Sequence, residues 1–180
     1  MPTEILILGR LLRGPRHGYE VKQAIERSLG GLVRMTNSQI YPTLKALEEM
    51  GAVVRAIEPQ AGRPERHTYA ITAVGREILH DLVAELSEAD VRRDTEFYVR
   101  VPYFALLAPE ERLRLLHTRR MALLGRRDGV AGWRRGGAPN SPDFLAELGA
   151  LRVEMLDVEL RWLDRWITTA QAAADTRGLE

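Results

Sequence analysis

The stretch Ser38-Gln-Ile-Tyr-Pro-Thr-Leu-Lys-Ala-Leu-Glu-Glu-Met-Gly51 decides how this chain folds. Ile40, Leu44 and Leu47 recur at helical spacing, which predicts a helix with one face turned towards a core. The opposite face of the helical wheel carries polar side chains and a cation: Ser38, Tyr41, Pro42 and Lys45. Within this stretch no acidic residue precedes Glu48, so the leading end of the helix suits a DNA major groove. The alternative is an ordinary surface helix.

The capping and terminating residues set the limits of this helix. Asn37 or Ser38 can cap its beginning, and Gly51 is the stop expected just past its end. Pro42 removes one backbone hydrogen bond, which costs least near the start of a helix. We therefore expect the helix to begin near Asn37 or Ser38.

Composition excludes several classes of protein. The 180 residues are 45% hydrophobic and contain no cysteine, which excludes disulfides, thiolate zinc sites and a cysteine nucleophile. Residues 1–80 hold 11 basic and 8 acidic residues, whereas residues 81–180 hold 15 and 17. The basic front half permits binding to nucleic acid. The apolar run at 5–8 is too short for a signal peptide or a membrane span, so we expect a cytoplasmic protein with no membrane partner.

The flanking segments predict a winged helix-turn-helix. Residues 4–12 are apolar on nearly every side, as in a helix that is buried or shared with a partner, and a second helix follows from Gly18. After the third helix, 52–57 and 67–71 have strand character, and Arg63 and Arg66 lie on the tip between them. Thr72 can cap a connecting helix. Three helices and a two-stranded wing with a basic tip favour DNA binding by residues 1–86.

Several motifs in this order resemble the PadR family of transcriptional regulators. They are LGRLLRGPRHGYE at 8–20, IYPTLKALE at 40–48, GRP at 62–64 and YAITAVG at 69–75. The resemblance implies a winged-helix repressor that dimerises through its C-terminal part and whose operator affinity is often altered by a small molecule. It also implies DNA contacts in the third helix and the wing. The residues expected to contact double-stranded DNA are Asn37, Ser38, Gln39, Tyr41, Pro42, Lys45, Arg63 and Arg66.

Residues 87–180 predict a helical dimerisation domain. One helix should begin at Pro109, the glycine-rich segment 125–139 should be a loop containing Trp133, and a long helix should run from Ser141 to about residue 174. That long helix carries two apolar stripes. The first is Leu148, Leu151, Met155, Val158 and Trp162, and the second is Leu156, Leu160, Leu163 and Ile167. We assign the first stripe to a partner subunit of a homodimer, although the sequence leaves open which stripe forms the seam.

Candidate ligand sites are few. Aromatic residues where the two domains should meet form a candidate site for a small aromatic effector: Phe97, Tyr98, Tyr103, Phe104 and Trp133. The four histidines lack the spacing of a metal site, and no catalytic motif occurs, so we expect no metal, no cofactor and no enzymatic activity. His17 should bond locally.

These observations together predict a mainly α-helical protein with a small two-stranded β-wing. Its N-terminal winged helix-turn-helix spans 1–86, and its helical dimerisation and effector domain spans 87–180. The predicted function is a homodimeric repressor on a palindromic operator, relieved by a small molecule. Three alternatives remain: a regulator whose effector is absent or is a protein, a winged-helix adaptor, and a small-molecule-binding protein without DNA affinity. The sequence names neither operator, target genes nor effector, and does not separate repressor from activator.

Overall fold

A computed structural model describes residues 2–28, 30–58, 66–133 and 144–177, and it confirms a mainly helical fold with a small antiparallel sheet. The α-helices are α1 (Pro2–Leu11), α2 (Gly18–Ser28), α3 (Asn37–Glu49), α4 (Ala73–Ala84), α5 (Glu88–Val91), α6 (Asp94–Tyr98), α7 (Pro109–Trp133) and α8 (Phe144–Arg177). A 3-10 helix spans Val101–Leu106. The strands are β1 (Arg16–His17), β2 (Val53–Glu58) and β3 (Arg66–Ile71).

The chain forms two compact units, with residues 1–86 and 93–107 in the first and 87–92 and 108–180 in the second. The predicted division placed all of 87–107 in the second domain. Residues 93–107 instead pack with the first unit, where the buried Arg100 guanidinium donates to the carbonyls of Leu82 at 3.0 Å and Glu85 at 3.3 Å. Leu82 lies in the last turn of α4 and Glu85 is its C-cap residue, so their carbonyls lack donors within the helix. Arg100 therefore attaches the segment to α4.

The core of the first unit is built around α1, which contacts α2, α3 and α4. Its apolar side chains are almost wholly inaccessible to solvent: Ile5, Leu6, Ile7, Leu8 and Leu11. Of the two situations that its all-round apolar sequence allowed, burial within its own domain is the one observed. The helix thus forms the centre against which α3 is held.

The sheet has one strand more than predicted. Its order is β1-β3-β2, all antiparallel, with Val53 opposite Ile71 and Glu58 opposite Arg66 across the wing. Strand β1 pairs Arg16 with Tyr69 and His17 with Thr68. Two residues are too few to show alternation, so β1 left no periodic signal in the sequence.

The predicted loop at 125–139 is wrong over its described part, because α7 continues to Trp133. Gly125 and Gly129 lie within this helix, and each costs roughly 1 kcal/mol relative to alanine. Burial of Leu123 and Val130 accompanies the continuous helix, and tertiary packing of this kind overrides local propensity. Residues 134–143, including the predicted helix start at Ser141, lie outside the described residues.

Helix α8 packs along α7 and separates its two apolar stripes. Leu156, Leu160, Leu163 and Ile167 are buried, whereas Leu148, Leu151, Met155 and Val158 are 49–59% exposed. The second stripe therefore supplies the core of the second unit, and the first faces solvent. Within the described ranges, no helix is long and apolar enough to cross a membrane.

Candidate nucleic-acid interface

The leading end of α3 is held by a cap one residue earlier than predicted. The cap is Thr36, not Asn37 or Ser38. The Gln39 side-chain oxygen accepts from the Thr36 backbone N–H at 3.0 Å, as in a capping box. Gln39 is therefore already used to hold the turn through its amide oxygen. The helix axis is fixed at the end that would approach DNA.

The two faces of α3 are those that the sequence predicted. Ile40, Leu44 and Leu47 are at most 1% exposed and belong to the core. The six predicted contact residues on this helix are all exposed: Asn37, Ser38, Gln39, Tyr41, Pro42 and Lys45. Because Pro42 has no N–H, the Ser38 carbonyl lacks its usual helical donor. The exposed surface therefore offers a backbone acceptor beside its hydroxyl groups.

The Tyr41 ring rests against the beginning of α2. A β-carbon at Gly18 would lie 2.9 Å from Cε1 of Tyr41, so only glycine admits the ring in this position. Tyr41 nevertheless remains 47% exposed. Burial raises the pKa of Tyr69, the Arg55 guanidinium opposes this rise, and Glu48 and Tyr41 add to it. Both helices of the helix-turn-helix thus shape one exposed surface around Tyr41.

The charges along α3 are partly paired. Lys45 Nζ lies 3.7 Å from Glu49 Oε1, with both side chains largely exposed, and Arg55 Nε of β2 lies 3.1 Å from Glu48 Oε1. An exposed pair such as Lys45–Glu49 contributes at most about 0.5 kcal/mol, so Lys45 can exchange it for a phosphate. Arg55 neutralises Glu48, an acid that would otherwise repel DNA, and ties the wing to α3.

The wing is described only in its strands. Arg63 lies outside the described residues, and so does the tip at 59–65. Arg66 is the first residue of β3, paired across the sheet with Glu58, and not a residue of the tip as expected. Of the two arginines predicted for the wing tip, Arg66 therefore belongs to the first position of β3.

His17 and Thr36 extend the set of residues that shape this surface. His17 Nδ1 lies 3.1 Å from the Thr68 hydroxyl and 3.4 Å from the His67 carbonyl, so the partners of its ring are on the distant strand β3 and not local as expected. The Thr36-x-x-Gln39 spacing is a sequence signal that would have located the cap. Gly18 and Arg55, by contrast, act through residues distant in sequence, and no local pattern indicated them.

The predicted dimer residues are split by the structure. Four of the five form the exposed stripe on α8, namely Leu148, Leu151, Met155 and Val158. Trp162 is only partly exposed, and its ring lies 5.1 Å from that of Trp166 with the planes tilted by 57°. Trp162 is thus engaged within its own helix.

The predicted effector residues are also divided. Phe97, Tyr103 and Phe104 are buried in the first unit, and the Phe97 ring makes edge contacts with Tyr98 and Phe104. Trp133 is the last residue of α7 in the second unit. A surface cavity of about 340 Å³ in the second unit contains none of these residues. It is lined by Glu88, Val91, Arg92, Thr118, Met121 and Ala122. Among the described residues, no cluster of His, Asp and Glu could hold a metal ion.

The N-terminal part of the chain is similar in sequence to known transcriptional regulators. Residues 7–81 match the model of the transcriptional regulator PadR-like family. A relative named negative transcriptional regulator PadR, from Bacillus subtilis, is 29% identical over 105 residues, 58% of each chain. The probable transcriptional regulator Rv1176c from Mycobacterium tuberculosis is 37% identical over 85 residues, 47% of this chain and 44% of the relative. The match thus spans about half the length of these relatives.

Solved structures with a similar fold cover more of the chain. Bacillus subtilis PadR in complex with operator DNA is 23% identical, with a TM-score of 0.45, covering 93% of this chain and 98% of that one. The same protein in complex with p-coumaric acid is 22% identical, with a TM-score of 0.42, covering 95% and 99%.

Proposed function

We propose that this chain, whose residues 7–81 match the transcriptional regulator PadR-like family, is a homodimeric DNA-binding repressor of that family. Each subunit inserts the leading end of α3 into the major groove, and the wing contacts the flanking backbone. The protein acts where the DNA is, in the cytoplasm.

One observation carries this proposal: the exposed face of α3 is polar and free of acid over its first three turns. Asn37, Ser38, Gln39 and Tyr41 offer hydrogen-bonding groups, and Lys45 offers a cation, all on the surface. Hydroxyl, amide and ammonium groups are the side chains that contact base edges and phosphates. A surface helix with no binding role has no need for this arrangement.

A second copy of this chain is the partner proposed for the exposed stripe of α8. Four apolar side chains at 49–59% exposure lie along one side of a helix whose other stripe is already buried against α7. Packing two such stripes about a two-fold axis removes both from water. The same axis relates the two α3 helices, as a palindromic operator requires.

Repression and release by a ligand complete the proposal. The Bacillus subtilis relative is named a negative regulator, which supports repression as the sign of the effect here. A ligand that favours one arrangement of the two α3 helices would change their fit to half-sites about one helical turn apart.

Binding-site selection from genomic DNA fragments tests the function. The selected duplex and a scrambled duplex are then titrated across salt concentrations with wild-type protein, Tyr41→Ala and Lys45→Ala. If these residues contact bases, each change should cost about 1–3 kcal/mol on the operator and less on the scrambled duplex. Arg63→Ala, if it contacts phosphate, should weaken both duplexes and lower the salt slope by about one per subunit.

The alternative function is a winged-helix adaptor or a ligand-binding protein without DNA affinity. That alternative would be favoured if the selection enriched no DNA fragment and the protein bound all duplexes with equal, weak affinity. A control change on the buried side of α3 is unsuitable because it would unfold the helix. Glu49→Gln is the matched control, since it frees Lys45 from its exposed pair and should strengthen binding slightly.

A further inference from the structure

Gln39 lies in the first turn of α3, where its side-chain amide closes the capping box. Its Oε1 accepts from the Thr36 backbone N–H at 3.0 Å and from the Thr36 hydroxyl at 3.1 Å. A backbone N–H can only donate, so the amide atom that meets it is the oxygen and not the nitrogen. The protein itself therefore fixes which way this exposed amide points.

The hydroxyl groups at the cap are consistent with this orientation. Ser38 Oγ lies 2.7 Å from Thr36 Oγ1, and one hydroxyl hydrogen serves one acceptor. Because the Thr36 hydroxyl donates to Gln39, the Ser38 hydroxyl is the donor to Thr36. The two lone pairs of Gln39 Oε1 are thus filled, one by the N–H and one by the hydroxyl of Thr36. The oxygen has no capacity left to accept from a base.

The amide nitrogen of Gln39 is the part of the side chain that stays available. Gln39 is exposed, and its Nε2 makes no hydrogen bond to any residue that the structure describes. The Gln39 backbone carbonyl is occupied separately, by the Thr43 hydroxyl at 2.7 Å. The side chain therefore offers two N–H donors and no acceptor to a molecule at the leading end of α3.

The free acceptor decides which base a glutamine amide can recognise. An unrestrained amide pairs with adenine by donating to N7 and accepting from the N6 amino group, which requires its oxygen. An amide that can only donate matches a base whose major-groove edge carries acceptors alone. Guanine presents two acceptors, N7 and O6, whereas thymine presents O4 beside a methyl group. Guanine is therefore the better match for Gln39.

We propose that Gln39 is a specificity-determining residue that recognises guanine, and not adenine, through its amide N–H groups, and that Thr36 holds it in this donor-only state. The inference rests on the proposed function, because it requires the leading end of α3 to reach base edges. It adds the base that one side chain of this helix selects. The ordinary explanation, that Gln39 is only a cap, makes base preference independent of its side chain.

Competition titrations on the operator obtained by genomic selection test the inference. Each base pair of one half-site is replaced in turn by the other three. Wild-type protein should prefer guanine over adenine by about tenfold at one position of the half-site. Gln39→Glu keeps an oxygen for the capping box, in which glutamate is a usual residue, but it has no N–H to donate. The preference at that position should shift by about tenfold or more towards cytosine, whose N4 amino group donates.

Ratios between duplexes are compared, because the negative charge of glutamate weakens binding to the phosphates of every duplex alike. Gln23→Glu makes the same change at an exposed glutamine of α2 and is the matched control, with the base preferences of wild type. Far-ultraviolet circular dichroism checks that each variant is folded.

A second pair of variants tests the role of Thr36. Thr36→Val removes the hydroxyl donor and leaves one lone pair of Gln39 Oε1 free to accept from adenine N6. The guanine-over-adenine ratio should therefore fall. Thr36→Ser keeps the hydroxyl and should keep the wild-type ratio.

Three outcomes overturn the inference. One is that wild type prefers a base other than guanine at the position that Gln39→Glu alters. Another is that Gln39→Glu and wild type have the same ratios at every position, which would leave Gln39 as a cap alone. The third is an unchanged guanine-over-adenine ratio in Thr36→Val. Failure to select any operator would overturn the proposed function as well, whereas these three outcomes on a selected operator leave the proposed repressor intact.

Discussion

At the scale of single residues, glycines control where two tyrosines lie. Gly18 leaves room for the Tyr41 ring and Gly9 for the Tyr103 ring, with β-carbon distances of 2.9 Å and 2.1 Å. The two positions differ in whether the tyrosine ring can move away from an added methyl group. Tyr41 is half exposed and its ring can swing away, whereas Tyr103 is buried. The same substitution should therefore affect DNA binding at one position and stability at the other.

Gly18→Ala is expected to lower operator affinity with little change in stability. The new methyl group displaces the outer end of the Tyr41 ring, and alanine is the better helix former at the start of α2. The melting temperature should shift by no more than a few degrees. If Tyr41 contacts a base, operator affinity should fall by about 1–3 kcal/mol. Fluorescence anisotropy with a labelled operator and thermal denaturation measure the two effects.

Gly125→Ala is the matched control for this substitution. Gly125 lies inside α7 with nothing within 4 Å of its β-carbon position. We expect stabilisation of up to about 1 kcal/mol and unchanged operator affinity. Equal operator affinity for Gly18→Ala and wild type would mean that the position of the Tyr41 ring does not matter for binding.

At the scale of elements, arginines connect helices that are distant in sequence. Arg119 of α7 is fully buried, and its guanidinium donates to Glu159 of α8 at 2.8 Å and to the Val91 carbonyl of α5 at 2.6 Å. Arg120–Asp164 and Arg127–Asp157 join the same two long helices nearer the surface. The charge of Arg119 is compensated entirely within the protein.

Removing the acid of the buried pair should be far more costly than removing an exposed one. Glu159→Ala leaves the Arg119 charge buried without its counter-ion, and such changes cost about 3–5 kcal/mol. Asp164→Ala breaks a pair whose members are 36% and 52% exposed and should cost at most about 1 kcal/mol. Urea denaturation of the three proteins gives both differences. Similar losses for the two variants would contradict the assigned role of Arg119.

The junction of α4 with the wing depends on close backbone contact. A β-carbon at Gly75 would lie 2.0 Å from the Ala52 carbonyl oxygen, which also accepts from the Thr72 backbone N–H at 3.1 Å. Backbone cannot move as a side chain does, so Gly75→Ala should destabilise by about 3 kcal/mol or more. The loss would appear as a lower urea midpoint. An unchanged midpoint would show that the junction can adjust without cost.

At the scale of the whole molecule, the exposed stripe of α8 is an apolar surface that the described part of the chain leaves uncovered. Its four side chains lie on the second unit, and the proposed DNA surface lies on the first. Dimerisation and DNA binding should be separable by mutation.

Leu151→Arg is expected to convert the proposed dimer into folded monomers. Leu151 is 52% exposed in the single chain, so arginine can be accommodated there without loss of the monomer fold. In a symmetric interface the change would bury two unpaired charges, which should weaken the dimer by about 100-fold or more. Analytical ultracentrifugation at micromolar concentration measures the mass, and far-ultraviolet circular dichroism checks the fold.

Thr168→Arg serves as the control, because Thr168 is exposed on α8 but outside the stripe. It should leave the sedimentation behaviour of wild type unchanged. Persistence of dimers in Leu151→Arg would assign the interface to another surface. Relative to wild type, monomeric Leu151→Arg should lose more affinity for the full operator than for a single half-site. The reason is that the two α3 helices are no longer linked.

The sequence alone determined the features that depend on neighbours a few residues away. The two faces of α3 follow from a 3.6-residue period, the Thr72 cap from its side-chain oxygen, which accepts from Gly75 N–H at 3.0 Å, and the wing strands from alternation. Tertiary structure decided what local patterns leave open. Residues 125–133 continue α7 although glycine disfavours it, and of the two equivalent stripes on α8, packing against α7 buries one and leaves the other exposed. Tyr41 on Gly18 and Tyr103 on Gly9 likewise depend on which distant segments meet, because packing energy there exceeds local propensity.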